Sequence, residues 1–206
     1  CKLSEWIFEI DLSNYNKKLH FISPDSRYLT FNYTQTLQSL YAVPDENVFH
    51  IHGKSENPNS SLILGHGDNP IRQEKLNRYD ADKDIRILQG EQSIAEYFKL
   101  SYKPTDRIIS DNRDFFAALN EIDKVIVLGH SMSDVDMSYF KRIVQSVNLK
   151  NTVWQISYFS ESDKIRLQHQ LKKLGIKADM VCYAKIEHID ECNRLIHHHK
   201  QQNLFN

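Results

Sequence analysis

The feature that most limits what this chain can fold into is a series of short β-branched runs, each followed by an amphipathic helical stretch. Lys124-Val125-Ile126-Val127-Leu128-Gly129 is apolar and too short for a helix, so it predicts a strand buried on both faces. Residues 134–147 then place Tyr139, Phe140, Ile143, Val144 and Val147 on one helical stripe. A second strand is predicted over 152–159. After it, Ser160 or Ser162 caps a helix that carries Ile165, Leu167, Leu171 and Leu174 on its apolar side and stops at Gly175. A third strand is expected over 180–183 and a last helix over 186–199. Strands alternating with helices of this length require right-handed crossovers and a parallel sheet. The expected class is α/β, with a Rossmann-like, mostly parallel sheet flanked by helices.

The N-terminal third repeats this logic less regularly. Residues 27–31 predict a strand, 34–41 a helix with Leu37, Leu40 and Tyr41 inward, and 47–52 and 61–64 two more strands. From 68 to 120 the pattern turns helical and polar, with helices expected over 91–100 and 111–121 and a loop around Pro104. We read that stretch as a helical insertion in a single α/β domain spanning 1–206. A chain of 206 residues favours one domain. It buries roughly 70% of its unfolded surface, enough to form a core without disulfides or metals.

Charge and cysteine usage exclude several classes of function. Lysine plus arginine number 26 against 27 acids, so the clustered basic charge of a general nucleic-acid binder is missing. The longest apolar runs, 115–119 and 180–184, fall far short of the about 20 residues a membrane-spanning helix needs. Cys1, Cys182 and Cys192 are too few and too scattered for a disulfide framework and form no C-x-x-C pair, which points to a reducing cytosol. The chain opens on Cys1 without the basic and apolar segments of a signal peptide, and we expect it to start partway into a longer gene product.

Three polar segments sit where predicted strands end: Phe31-Asn32-Tyr33-Thr34, His50-Ile51-His52-Gly53 and Gly129-His130-Ser131-Met132-Ser133-Asp134. Ligands of open parallel α/β sheets bind outside the carboxyl ends of the strands, so the three tips are expected to meet at one hollow. The Asn32 carboxamide has one acceptor and two donors, suited either to orienting a water or sugar hydroxyl or to capping a turn. His50 and His52, two apart on a strand, face the same way. One reading makes them a zinc pair with His66 as the available third ligand. Another makes His52 a general base, with Gly53 leaving room for a ligand to reach the backbone. A third makes them ordinary strand histidines.

The segment from Gly129 to Ser133 resembles the G-x-S-x-G nucleophile elbow, with Ser133 in the place of the last glycine. Ser131, then Asp163 or Asp179, then His188 would follow the chain order of a hydrolase triad. Asp134 and Asp136 oppose that reading, because acids at this helix start disfavour an oxyanion. They also have a plain structural reading, as acids in the first turn of a helix capped by Ser133. Gly65-His66-Gly67 lacks the third glycine of a dinucleotide fingerprint and reads as a turn. His197-His198-His199 splays around a helix and reads as a solvated end.

Phe31-Asn32-Tyr33-Thr34-Gln35-Thr36-Leu37, Val48-Phe49-His50-Ile51-His52-Gly53, and Gly129-His130-Ser131 with Asp136 and Tyr139-Phe140 together resemble the bacteriophage abortive infection AbiH family. The resemblance runs from about Trp6 to the last helix and is weakest over 68–120. It implies a bacterial, cytoplasmic phage-defence protein with a sirtuin-like fold, lacking here an upstream strand and its Gly-rich loop. In the similar sirtuin-like domains, an Asn and a His before Gly act on the nicotinamide–ribose bond of NAD. The resemblance places those roles on Asn32 and His52, and the Gly, Ser and Asp of the last segment on Gly129, Ser131 and Asp134. Thr34 stands where the wider group has Asp and His130 where it has Tyr; with Gly53 and Asp136 they complete the implied ligand-contacting set. The implied ligand is NAD or a related nucleotide and no metal is expected. A phage component is the implied trigger and self-association an implied partner mode. The alternative function is a sensor of nucleotide or phage component without chemistry.

Overall fold

A computed structural model describes residues 2–12, 19–65, 85–100 and 102–192. The chain divides into two compact units, Cys1–Pro104 and Thr105–Asn206. The boundary falls inside the stretch expected as an insertion.

Unit 1 opens with α1 (Lys2–Phe8), which buries Ser4 and Ile7. Strand β1 (Tyr28–Thr30) leads through a polar turn into α2 (Thr36–Tyr41), and α2 returns the chain to β2 (Val48–His50). β1 and β2 pair in parallel, with Tyr28 opposite Val48, Leu29 opposite Phe49 and Thr30 opposite His50. A short parallel strand–helix–strand unit is what the spacing of 27–52 predicts. The expected strand over 61–64 is not one. Gly53 turns the chain with φ +91, after which one backbone bond, from Ile63 N–H to the His52 carbonyl (2.8 Å), ties back an irregular segment. α3 (Ile85–Leu100) is longer than the expected helix over 91–100.

Unit 2 begins with α4 (Thr105–Asp111) and α5 (Arg113–Ala117), followed by a 3-10 turn Ala118–Glu121. The single helix expected over 111–121 is therefore broken. The parallel sheet follows in the order β3 (Lys124–Val127), β4 (Val153–Ser157), β5 (Val181–Ala184). Every residue of β4 is buried, as expected of a central strand covered on both faces. α6 (Met137–Ser146) connects β3 to β4, packs against α4 and α5, and buries Met137, Tyr139 and Phe140. α7 (Glu161–Lys173) connects β4 to β5. Ser160 caps it by accepting the Asp163 N–H (3.1 Å), and Gly175, at φ +77, ends it as predicted.

Three sequence expectations need correction here. Leu167, Leu171 and Leu174 are buried, but Ile165 is 66% exposed and does not belong to the apolar stripe. α6 starts at Met137 rather than 134, because 134–136 form a hydrogen-bonded turn; Asp136 occupies its N-cap position and Ser133 does not cap it. The cysteines were expected to form no disulfide framework, yet Cys182 on β5 and Cys192 are joined by a disulfide. That pairing needs the 3-10 segment Ile186–Glu191 to fold back on the edge strand, a contact that the spacing of the cysteines does not reveal. The part of the predicted last helix beyond 192, with His197-His198-His199, and the segment with His66 and Gly67 lie outside the described residues.

Candidate functional site

The sequence-predicted residues form two sets, one on each unit. In unit 1, Asn32 and His52 each lie two positions beyond a registered pair, Thr30 and His50, at the carboxyl ends of adjacent parallel strands. Hydrogen bonds between the two strand-end loops fix their backbones. Ser55 N–H donates to the Tyr33 carbonyl (2.9 Å), the Tyr33 hydroxyl to the Ile63 carbonyl (2.9 Å), and the Gln35 amide to the Ser55 carbonyl (3.3 Å). Asn32 is exposed and its N–H donates to the Thr30 hydroxyl at 3.1 Å. His52 is only 4% exposed and meets the Phe31 ring edge-on at 5.5 Å. The Thr34 and Thr36 hydroxyls share a 2.9 Å hydrogen bond at the start of α2.

His50 does something other than the zinc reading required. Its Nδ1 lies 3.0 Å from the Asn32 carbonyl, which only accepts, so Nδ1 carries the proton. Its Nε2 then accepts from the Gln38 amide at 3.0 Å, and that amide also donates to Asp45 (3.1 Å). Burial pushes the His50 imidazole below its usual pKa, as the neutral form in this network requires. Lys54 bridges Asp45 (3.0 Å) and Glu56 (2.7 Å), and its hydrogen bond holds the Asp45 carboxyl below the usual carboxylate range. Both nitrogens of His50 are engaged, and among the described residues no cluster of three or more His, Cys, Asp or Glu side chains could hold a metal.

Gly53 has a structural duty of its own. A Cβ there would come within 2.7 Å of the Ser61 carbonyl, so the space expected to admit a ligand is taken by the chain itself.

In unit 2, Gly129, His130, Ser131, Asp134 and Asp136 surround the carboxyl end of β3. Gly129 has φ +60 with open space where a Cβ would sit, and its N–H donates to the Ser157 hydroxyl at the end of β4 (2.8 Å). His130 Nδ1 accepts the Met132 N–H (2.8 Å), which leaves the proton on Nε2, 3.6 Å from the Asp136 carboxylate. The ring also packs on Phe140, with 5.0 Å between centroids. Ser131 is exposed and its carbonyl accepts from Arg166, which also pairs with Asp163. Asp134 accepts from Gln170 at 3.3 Å. Met132, fully buried, takes φ +49, so the backbone strain of this turn sits one residue after the serine.

A sequence model of the family described as bacteriophage abortive infection AbiH matches residues 1–158. The chain belongs to that family. The AbiH match takes in both strand-end sets and stops at the end of β4, short of α7 and β5, so the expected reach to the last helix is too long. No curated protein and no solved structure matches the chain.

The hydrolase elbow finds no support in this AbiH chain. In an elbow the nucleophile itself takes the strained conformation, whereas here Met132 does. Asp163 is bound to Arg166 and to the Phe159 N–H, and His188 Nδ1 is paired with Glu191 at 3.1 Å. Sequence reasoning missed Gln38, Ser157, Arg166 and Gln170, each of which holds a predicted residue. Their partners lie 12, 28, 35 and 36 positions away, beyond the reach of local periodicity. Among the described residues no helix is long and apolar enough to cross a membrane.

Proposed function

We propose that the chain acts in phage defence in the bacterial cytoplasm as a nucleotide-binding hydrolase that cleaves the N-glycosidic bond of NAD or a related nucleotide. The observation that supports this reading is that Asn32 and His52 each follow by two residues the registered pair Thr30 and His50 of adjacent parallel strands, with the Asn32 carbonyl bound by His50. Nicotinamide leaves as a neutral molecule and the ribose becomes oxocarbenium-like, so the protein must supply an oriented water and a proton acceptor. The Asn32 carboxamide orients the water or a ribose hydroxyl, and the His52 imidazole takes the proton. Of the proposed ligand contacts, Gly129, Ser131 and Asp134 are exposed. His130 and Asp136 orient each other, and His130 has no nitrogen left to act as a base. Thr34 offers a hydroxyl where the sirtuin-like group carries a carboxylate.

Incubation of the protein with NAD should release free nicotinamide, and Asn32→Ala or His52→Ala should each lower kcat at least about a hundredfold. Turnover that survives both substitutions removes the assignment. One observation favours a second reading, a sensor that binds a nucleotide or phage component without chemistry and passes the signal to a partner: the Gly53 backbone is covered by the Ser61 carbonyl. That reading predicts nucleotide binding with no nicotinamide release in phage-infected cells.

A further inference from the structure

At the carboxyl edge of the unit 2 sheet, an aromatic and cationic cluster lies outside every residue discussed as a ligand contact. Tyr158 N–H donates to the Ala184 carbonyl (3.1 Å), extending the β4–β5 ladder and setting Tyr158 beside Lys185. Two ammonium groups converge on the Tyr158 ring, Lys185 at 4.7 Å and Lys164 at 5.2 Å from its centroid. Lys185 also reaches over the Phe159 ring at 5.8 Å and donates to the Phe159 carbonyl. Phe159 itself, just beyond a fully buried strand, is 89% exposed.

The charge balance of the cluster points outward. Asp163, the acid nearest in sequence to Phe159 that binds it, is committed to Arg166 and to the Phe159 N–H. Glu161 pairs with Lys164 at 3.7 Å. Lys185 is held by a carbonyl and two ring faces, which orient its ammonium without neutralising it. An exposed aromatic face next to an oriented cation that pairs with no acid among the described residues matches a ligand with a planar π-system and an anionic group a short distance away. Bases stack on aromatic side chains whatever their edge chemistry, and a phosphate satisfies a fixed ammonium.

We infer that Phe159 and Lys185, with Tyr158 and Lys164 behind them, form a nucleotide-binding platform in which the base stacks on Phe159 and a phosphate meets Lys185. The inference rests on the nucleotide class of ligand proposed above but not on bond cleavage. Calorimetric titration with ADP and with adenosine tests it. ADP should bind the 206-residue chain. Phe159→Ala and Lys185→Gln should each weaken it about tenfold, the scale of one base–aromatic stack. Lys185→Arg should retain most of the affinity, and adenosine should bind more weakly than ADP and ignore Lys185→Gln. ADP binding that is absent, or unchanged in both Phe159→Ala and Lys185→Gln, overturns the platform, as does equal affinity for adenosine and ADP. Nicotinamide release is measured separately with Asn32→Ala, so the two readings fail independently. A platform without cleavage leaves this inference standing, and cleavage with ADP binding indifferent to Phe159 and Lys185 leaves only the other.

Discussion

The two units organise the same parallel motif by different forces. In unit 1 each strand is three residues long, and only Val48 among those six is buried. Its strand-end loops are held by side-chain and backbone hydrogen bonds that run from Tyr33 and Gln35 to Ser55, from Ser55 to the Ser4 carbonyl, and from His50 to Asn32. In unit 2 the central strand, with Trp154 and Ile156, is buried along its whole length, and Tyr139, Leu167 and Leu171 of the connecting helices are fully buried as well. Apolar burial is non-directional and scales with area, whereas hydrogen bonds contribute modestly and fix geometry. The difference is that unit 2 is held chiefly by packing, whereas unit 1 relies on polar bonds that fix its two strand-end loops.

That contrast is open to direct attack. The largest effect is expected for Trp154→Ala, which empties the centre of the unit 2 core and should destabilise that unit by about 3–5 kcal/mol in denaturant unfolding. A loss below about 1 kcal/mol would contradict a packing-dominated unit. Next come two glycines that look alike in sequence. Gly53→Ala meets both the unfavourable φ and the Ser61 carbonyl, and should cost about 3 kcal/mol, while Gly129→Ala meets only the φ and should cost about 1 kcal/mol. Equal costs would mean that the Ser61 carbonyl yields freely and the unit 1 frame is loose.

Reducing the Cys182–Cys192 bond, which closes a separation of 10 residues, should lower unit 2 stability by about 2.5 kcal/mol, read from unfolding curves with and without reductant. Hydrogen exchange in unit 1 should stay unchanged by it.

The smallest expected effect concerns pH. The folded pKa of His50 is depressed below 6.5, so on acidification the unfolded chain takes up the proton first. The contribution of the neutral imidazole is complete above 6.5 and declines as pH falls through 6.5 toward the folded pKa. Unit 1 stability should therefore fall as the pH is lowered from neutral through 6.5. His50→Gln should flatten that part of the profile, and an identical profile in the variant would show that His50 does not hold the Asn32 loop.

The alternating strands and helices of 124–184 were legible because each element is short, strongly patterned and bounded by its own signals, such as Ser160 before α7 and Gly175 after it. That Asn32 and His52 each follow a strand of one parallel pair was legible in part, since both come after β-branched or aromatic runs that had to end at the same edge of a parallel sheet. Ile165 defeated the helical-stripe argument because apolar residues are frequent on surfaces, and only packing shows which of four apolar positions faces the sheet. The strand expected over 61–64 failed because an apolar stretch becomes a strand only with a partner, and Gly53 directs this one into a single bond with His52. In the sequence, Gly53 looks like an opening for a ligand. Nothing in the sequence announces that the Ser61 carbonyl occupies that opening.

Taken alone, the order of residues determined the α/β class, the parallel sense of the strands, the family and the identity of the polar strand ends. All of these follow from local periodicity or from short contiguous motifs. Tertiary structure decided which side chains hold those ends: His50 and Gln38 at Asn32, Ser157 at Gly129, Arg166 at Ser131, and Lys185 at Phe159. It also decided that Cys182 meets Cys192. The physical reason is that a hydrogen bond or an ammonium–ring contact depends on positions accurate to a few tenths of an ångström between segments far apart in the chain, and no local propensity specifies such a distance.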